Sequence, residues 1–371
     1  MTEISHPPPP KERSLFITHH VPDMDNVSVA QFERIAPEIK KLGFSKHRFD
    51  IRWKTATPKP GEINESYLGK SALLAQAAQK HGLEPIIILS TPPAWAYKGK
   101  SPEAIRQAYT DYAKNVKRHF DRLKVPVKSI QILNELNNPV YTPKKLIREM
   151  PSLAAATREV FGETTDVTAT VVLSKPWVNA EKFLKKYQTE LSSLTSIGLD
   201  FYPGTYQHNR KMISPKGAAT IAHQTLEAIA TRGTHDVRRD FLTLLTDQLT
   251  DVRHFRSLLT TTKSLFPHMA IDIGEFGFPT LDPIQRTNPK HEALQSYAVD
   301  KITKAMAPVV NEFDIRNIGF YELFDDKEFG VLNWGIINDK GEAKHILTKL
   351  PAILQSLQAT EPHQTISQIA P

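Results

Sequence analysis

Short runs of apolar residues alternate with longer stretches in which apolar residues recur every three or four positions. The runs are Leu15–Thr18, Lys46–Arg52, Pro85–Leu89, Ser129–Leu133, Val167–Leu173, Ser196–Phe201, Ala270–Gly274 and Asn317–Tyr321. Each is the length of a strand, and near-continuous apolar character suits strands covered on both faces. Between them, Val29–Leu42, Ser71–His81, Pro102–Leu123, Pro143–Phe161, Ala180–Leu191 and Gln285–Val310 carry a helical period. Strands that alternate with helices predict a parallel sheet, because parallel neighbours need crossover connections. Eight such units close naturally into a ring, so the expected fold is α/β: a (β/α)8 TIM barrel, a single domain with elaborated βα loops. An open doubly wound sheet is the competitor. It would place a glycine-rich turn after an early strand, and no GxGxxG follows any of these runs.

The interval between the sixth and seventh strands is the longest, with helical patterns over Pro215–Thr231 and Arg238–Phe266 that read as a decorated βα loop. Pro7 to Pro10 favour an extended polyproline segment, so residues 1–13 are expected to form a tail. Residues 14–358 then make the barrel, and 359–371 a second weakly ordered end.

The net charge of +7, from 47 basic and 40 acidic residues, would suit a polyanion only if the positive charge were gathered in one patch. It is interleaved with acids along the chain, so no nucleic-acid partner is expected. No stretch reaches the ~18 uninterrupted apolar residues of a membrane span, which leaves no membrane partner. Cysteine is absent, and this excludes disulfides and thiolate metal sites. The N-terminus MTEISHPPPPKERS lacks an apolar signal core, so a cytoplasmic location is expected unless a leader was removed.

In a barrel of this kind the carboxyl ends of the strands build the active site. The fourth strand ends in Asn134-Glu135-Leu136-Asn137-Asn138, and the seventh in Gly274-Glu275-Phe276. Ile271 and Ile273 share the alternation parity of Glu275, so the expectation is that they fill the barrel beneath its carboxylate. A glutamate at a strand end is often only a solvated terminus. Two of them, on strands that face one another across a barrel mouth, fit glycoside hydrolysis, which needs a carboxyl on each side of the scissile bond. On the second strand Arg48, Asp50 and Arg52 share one face. Burying an unpaired charge is costly, so Arg48 and Asp50 are expected to be paired in the barrel or at its mouth.

Sugar rings present apolar faces that pack on flat side chains, and Trp53, Trp95, Trp177, Tyr206, Tyr321 and Trp334 lie at or beyond strand ends. Trp95, in Pro92-Pro93-Ala94-Trp95, is the favoured platform. His19 and His20 end the first strand, with Asp23 and Asp25 following. Adjacent strand residues face opposite ways, so both histidines do not reach one metal without an irregular turn, and His20 is a candidate to line the sugar site. Neither HExxH nor GxSxG occurs, and no metal or cofactor is expected.

The segments KKLGFSKHRFDIRWKTATPKPGEIN, IIILSTPPAWA, SIQILNELNNPVYTP, IDIGEFGFP and FGVLNWGIINDKGEAKHIL, spread over roughly residues 29–350, resemble those of the clan A retaining glycoside hydrolases. The look is nearest to families 39 and 5. The resemblance implies Glu135 as general acid/base and Glu275 as nucleophile. It implies Asn134 as the ligand of the sugar 2-hydroxyl, and Arg48 and Tyr202 as supports of the nucleophile. Physically, a cation and a phenol beside Glu275 would hold its pKa down, and a less compensated Glu135 would stay protonated. The chain departs from the pattern at Asp200-Phe201-Tyr202-Pro203, where many relatives begin with histidine. It departs again at Tyr321-Glu322-Leu323-Phe324, which lacks the usual tryptophan; Tyr321 or Phe324 would substitute.

The expected function is retaining hydrolysis of a β-linked glycoside, with carboxyls ~5–5.5 Å apart rather than the ~6.5–9.5 Å of inversion, and a carbohydrate as the partner. The alternatives are a non-catalytic carbohydrate-binding barrel derived from such an enzyme, and a barrel of different chemistry with a metal at His20 and the Asp23–Asp25 segment.

Overall fold

Eight parallel strands close in chain order: β1 Ser14–His19, β2 Lys46–Arg52, β3 Glu84–Ser90, β4 Ser129–Ile132, β5 Asp166–Val172, β6 Ser196–Phe201, β7 Ala270–Phe276 and β8 Asn317–Phe320. Residue for residue, β1 pairs with both β2 and β8, which seals the ring. The architecture is the (β/α)8 TIM barrel. This computed structural model describes residues 13–20, 26–173, 179–202, 252–280, 289–325, 333–338 and 341–358. Outside the described residues lie most of the expected N-terminal tail and all of the C-terminal one, the Pro215–Thr231 pattern, Trp177, Tyr206, Asp23 and Asp25.

Alternation along each strand sorts the side chains into two sets. The outward set includes Ile17, Phe49, Ile51, Ile87, Leu89, Ile130, Val171, Leu199, Ile273 and Phe320, and it packs with the helices into one continuous core. Fully burying such a side chain is worth about 1.5–3 kcal/mol. The helix Pro102–Arg122 shows how the sequence builds that layer. Ser101 caps it by accepting from the Ala104 N–H (3.2 Å), Pro102 opens it, and Glu103 and Arg122 complement its ends. Its stripe of Ile105, Tyr109, Tyr112, Val116 and Phe120 is buried, and Tyr112 stacks on Trp53 and donates to the Ile51 carbonyl (2.5 Å).

Several expectations need correcting. The pattern over Pro143–Phe161 divides into Lys144–Arg148 and Met150–Phe161, the second helix opening with Pro151 in its first turn. Ala180–Leu191 divides at Tyr187. The helix Ile346–Gln358 was not expected. Its apolar positions Ile346, Leu350, Ile353, Leu354 and Leu357 follow a helical period, but Pro351 sits among them and reads as a breaker. Arg13, placed in the tail, is buried, and its guanidinium donates to the carbonyls of Ile315 (3.2 Å) and Leu357 (3.0 Å). Among the described residues no helix is long and apolar enough to cross a membrane.

The parity of β7 also differs from expectation. Leu199 pairs with Ile273, but Asp200 pairs with Glu275, so Gly274 is an extra residue in a bulge. Ile271 and Ile273 belong to the outer core and do not fill the barrel beneath Glu275. At the bulge lie the Asp200 carboxyl and the Thr170 methyl, and a Cβ on Gly274 would collide with both. Only glycine allows that approach.

Candidate active site

The chain leaves β4 through a turn in which Leu133 and Glu135 both have positive φ, 61° and 42°. Such left-handed conformations in residues with a Cβ cost on the order of 1–3 kcal/mol each. Hydrogen bonds to neighbouring strands hold the turn: Leu133 N–H to Leu89 O (3.0 Å), Glu135 N–H to Thr170 Oγ1 (3.0 Å) and Leu136 N–H to Thr170 O (2.8 Å). Thr142 Oγ1 closes it by donating to Asn134 O (2.8 Å). The turn presents Asn134 and Glu135 together at the mouth. Glu135 is 4% exposed, and its Oε2 accepts a short hydrogen bond from Asn138 Nδ2.

Glu275 lies across the mouth, 2% exposed. The Arg48 guanidinium donates to its Oε1 at 2.6 Å, and the Tyr202 hydroxyl donates to its Oε2. Arg48 is buried, and its other donors are also used. Nε and Nη2 reach Gln131 Oε1 (3.0 and 2.8 Å), Nη1 reaches Thr18 Oγ1 (3.0 Å), and Nη2 extends to Asn134 Oδ1 (3.4 Å). The Phe16 ring lies 5.9 Å from the guanidinium carbon. Arginine only donates, so the Asn134 atom facing it is the carbonyl oxygen. Gln131 Nε2 (2.9 Å) and Thr170 Oγ1 (3.2 Å) donate to that same oxygen. One polar network therefore fixes Glu275, Arg48 and Asn134 relative to one another.

The ionisation of Glu275 differs from expectation. Burial pushes its carboxyl up, and Arg48 and His20 counter this only in part, so its pKa is raised rather than held down. The neglected contribution was desolvation in a chamber with further acids. Asp200, the neighbour of Glu275 across the bulge, is pushed well above the ordinary carboxylate range by burial and by the Glu275 charge, with Arg48 opposing.

Asp50 and Arg48 are both paired, though not with each other. Asp50 forms a short contact with His20 Nδ1. Burial alone would lower the His20 pKa, but Asp50 overrides it and raises it to about 10, so the pair is ionic at neutral pH. His19 turns the other way, into a buried stack with Phe32, His47 and Phe324. Tyr321 is 5.3 Å from His20 and 5.6 Å from Tyr202, centroid to centroid, and Trp334 stands edge-on to both tyrosines (5.1 and 5.5 Å). The structure thus brings Arg48, Asp50, Glu135, Asn134, Tyr202, Tyr321, His20 and Glu275 into one chamber. Trp95 stands apart. It is half-buried against Trp53 and donates from Nε1 to Thr57 O (3.2 Å). Trp53 itself is buried in the core and presents no face to a ligand.

Sequence reasoning missed Thr18, Gln131, Asn138 and Thr170, and it named Trp334 only among the strand-end aromatics. Gln131, Thr170 and Thr18 share one signal, a hydrogen-bonding side chain within an otherwise apolar run.

No protein-family profile matches the chain, and no curated protein matches it in sequence. Solved structures do share its fold. An exo-β-1,4-mannosidase from Opitutaceae bacterium strain TAV5 superposes over 93% of this chain with a TM-score of 0.61 at 15% identity. This chain spans 60% of that protein's length. A family 39 glycoside hydrolase from the gut symbiont Bacteroides cellulosilyticus WH2 gives 0.59 at 13% identity, over 93% of this chain and 64% of its own. A β-glucosidase from Exiguobacterium marinum gives 0.64 at 15% identity, over 95% of this chain and 99% of its own. What the chain shares with these three proteins is the TIM-barrel fold.

Proposed function

We propose that this protein is a retaining glycoside hydrolase acting on a β-linked glycoside. The observation that carries the reading is the environment of Glu275: a buried carboxyl with one oxygen on Arg48 and the other on Tyr202, in the same mouth as Glu135. Glu275 attacks the anomeric carbon as the glycosidic C–O bond breaks, and the Glu135 proton passes to the leaving oxygen. Glu135 then takes a proton from water, and that water displaces Glu275 to give a sugar of retained configuration. Asn134, locked through its carbonyl oxygen, keeps its amide N–H groups for a sugar hydroxyl. The shared fold of the mannosidase and glucosidase structures supports the class without naming the sugar.

The test is a panel of aryl glycosides covering hexoses, pentoses and uronic acids, with Glu275→Gln as control. The expected result is hydrolysis of at least one member, reduced at least about 10⁴-fold in the variant, the scale on which loss of one catalytic group registers. Unchanged turnover in Glu275→Gln would remove the assignment. The acid at position 200 favours one second reading, a barrel that binds carbohydrate without cleaving it. Sugar binding with no hydrolysis anywhere on the panel would select it.

A further inference from the structure

Asp200 is fully buried at the end of β6, and neither of its carboxyl oxygens has a hydrogen-bond partner among the described residues. Its neighbours explain why. Every donor direction of Arg48 is committed, to Gln131, Thr18, Asn134 and Glu275. The carboxyl group lies in the space that the missing Cβ of Gly274 leaves open, directly beside the bulge that carries Glu275. Among the described residues, the other charged or titratable groups around it are Asp50 and Arg52 on β2, His20 after β1, Glu135 after β4, Tyr202 after β6, and Tyr321 and Glu322 after β8; β5 contributes the uncharged Thr170. His20 is engaged by Asp50. The charge of Arg48 and the Thr170 hydroxyl act on Asp200, but Arg48 is bonded elsewhere and Thr170 donates to Asn134, and a buried carboxylate so weakly compensated is too costly to persist.

We propose that Asp200 is a neutral carboxylic acid in the resting protein and acts as a positioning residue, reserving the Arg48 guanidinium for Glu275. An ionised Asp200 would compete for Arg48 and raise the energy of a second anion beside Glu275. A neutral one leaves Glu275 as the anion that the arginine serves. Asp200 touches no substrate in this account; it acts through the charge state of its neighbour. The inference deepens the hydrolase reading and rests on it for its catalytic consequence, but not for the protonation state.

The experiment has two arms. Infrared difference spectra of protein carrying ¹³C in its aspartate carboxyls, wild type minus Asp200→Asn, report protonation whether or not any glycoside is cleaved. A protonated-carboxyl band at neutral pH that disappears in the variant is expected; carboxylate bands alone would overturn the proposal. Should Asp200→Asn not fold, the same band is sought in labelled wild type alone, and its loss at alkaline pH is followed there. The second arm is the pH profile of kcat/KM on an active glycoside. Asparagine mimics the neutral acid, so the acid limb set by Glu275 is expected to stay in place. Had Asp200 been ionised, removing its charge would move that limb to lower pH by about 1 to 3 units.

Discussion

The two ends of the barrel each hold an arginine among acids, and they treat it differently. At the amino-terminal end Arg316 donates to both oxygens of Asp272 (3.1 and 2.6 Å), to Asp166 (2.8 Å) and to Ser196 (2.9 Å). Asn317 adds two bonds to Asp272, and Lys46 stands between Asn317 and Glu84. The Arg316 side chain is 35% exposed, so water shares in the balance. At the carboxyl-terminal end Arg48 is 1% exposed, and the acids around it exceed the cations. The lower cluster holds the strands together. The upper one keeps carboxyls in excess and buried, and burial pushes both Glu275 and Asp200 upward.

Replacing each arginine by methionine breaks this comparison if it is wrong. Arg48→Met leaves Glu275 buried without its cation, so a loss of about 3–5 kcal/mol in denaturant unfolding is expected, together with loss of turnover. Arg316→Met removes hydrogen bonds to charged groups at a partly wetted site, and about 2 kcal/mol is expected. Its kcat/KM per folded molecule should match wild type. Equal effects of the two substitutions on kcat/KM would erase the distinction between the ends.

The smallest effects are in the pH dependence of stability. The folded-state pKa of His20 is raised to about 10 from an ordinary 6.5. Its contribution is therefore complete below about 6.5 and disappears as pH climbs toward 10. His19 and His47 behave oppositely. Burial, with the charge of His20, lowers His19 to about 3, and burial pushes His47 well below its ordinary value. Both are neutral when folded, so their cost appears as pH falls below 6.5. Melting temperatures measured across this range should decline on both sides. A His47→Phe variant should flatten only the acid side, and a symmetrical change would contradict the assignment.

The strands were legible because parallel strands buried on both faces must be written as apolar runs, and Glu135 and Glu275 because each stands where a run stops. The Gly274 bulge was not legible. Alternation counts residues, and one inserted glycine reverses the count without altering composition, which is why Ile271 and Ile273 were assigned to the wrong side. The raised pKa of Glu275 was missed for a related reason: Arg48 could be read from the sequence, but the burial and the Asp200 carboxyl that outweigh it exist only once β6 and β7 are adjacent. Gln131, Thr170 and Thr18 look like ordinary polar interruptions until the closed ring turns them toward one guanidinium. Position after a strand does not say where a ring faces, and Trp53, one of several strand-end aromatics, stacks on Tyr112.

The central claim is that Glu275 forms a covalent bond to the sugar. Incubation with activated 2-deoxy-2-fluoro glycosides, chosen from the sugars cleaved in the aryl-glycoside panel, followed by intact mass measurement and peptide mapping, tests this directly. The account predicts one stable adduct per chain, located on Glu275 and absent in Glu275→Gln. Rapid hydrolysis of the parent sugar to the inverted anomer, or an adduct on any other carboxyl, would contradict it.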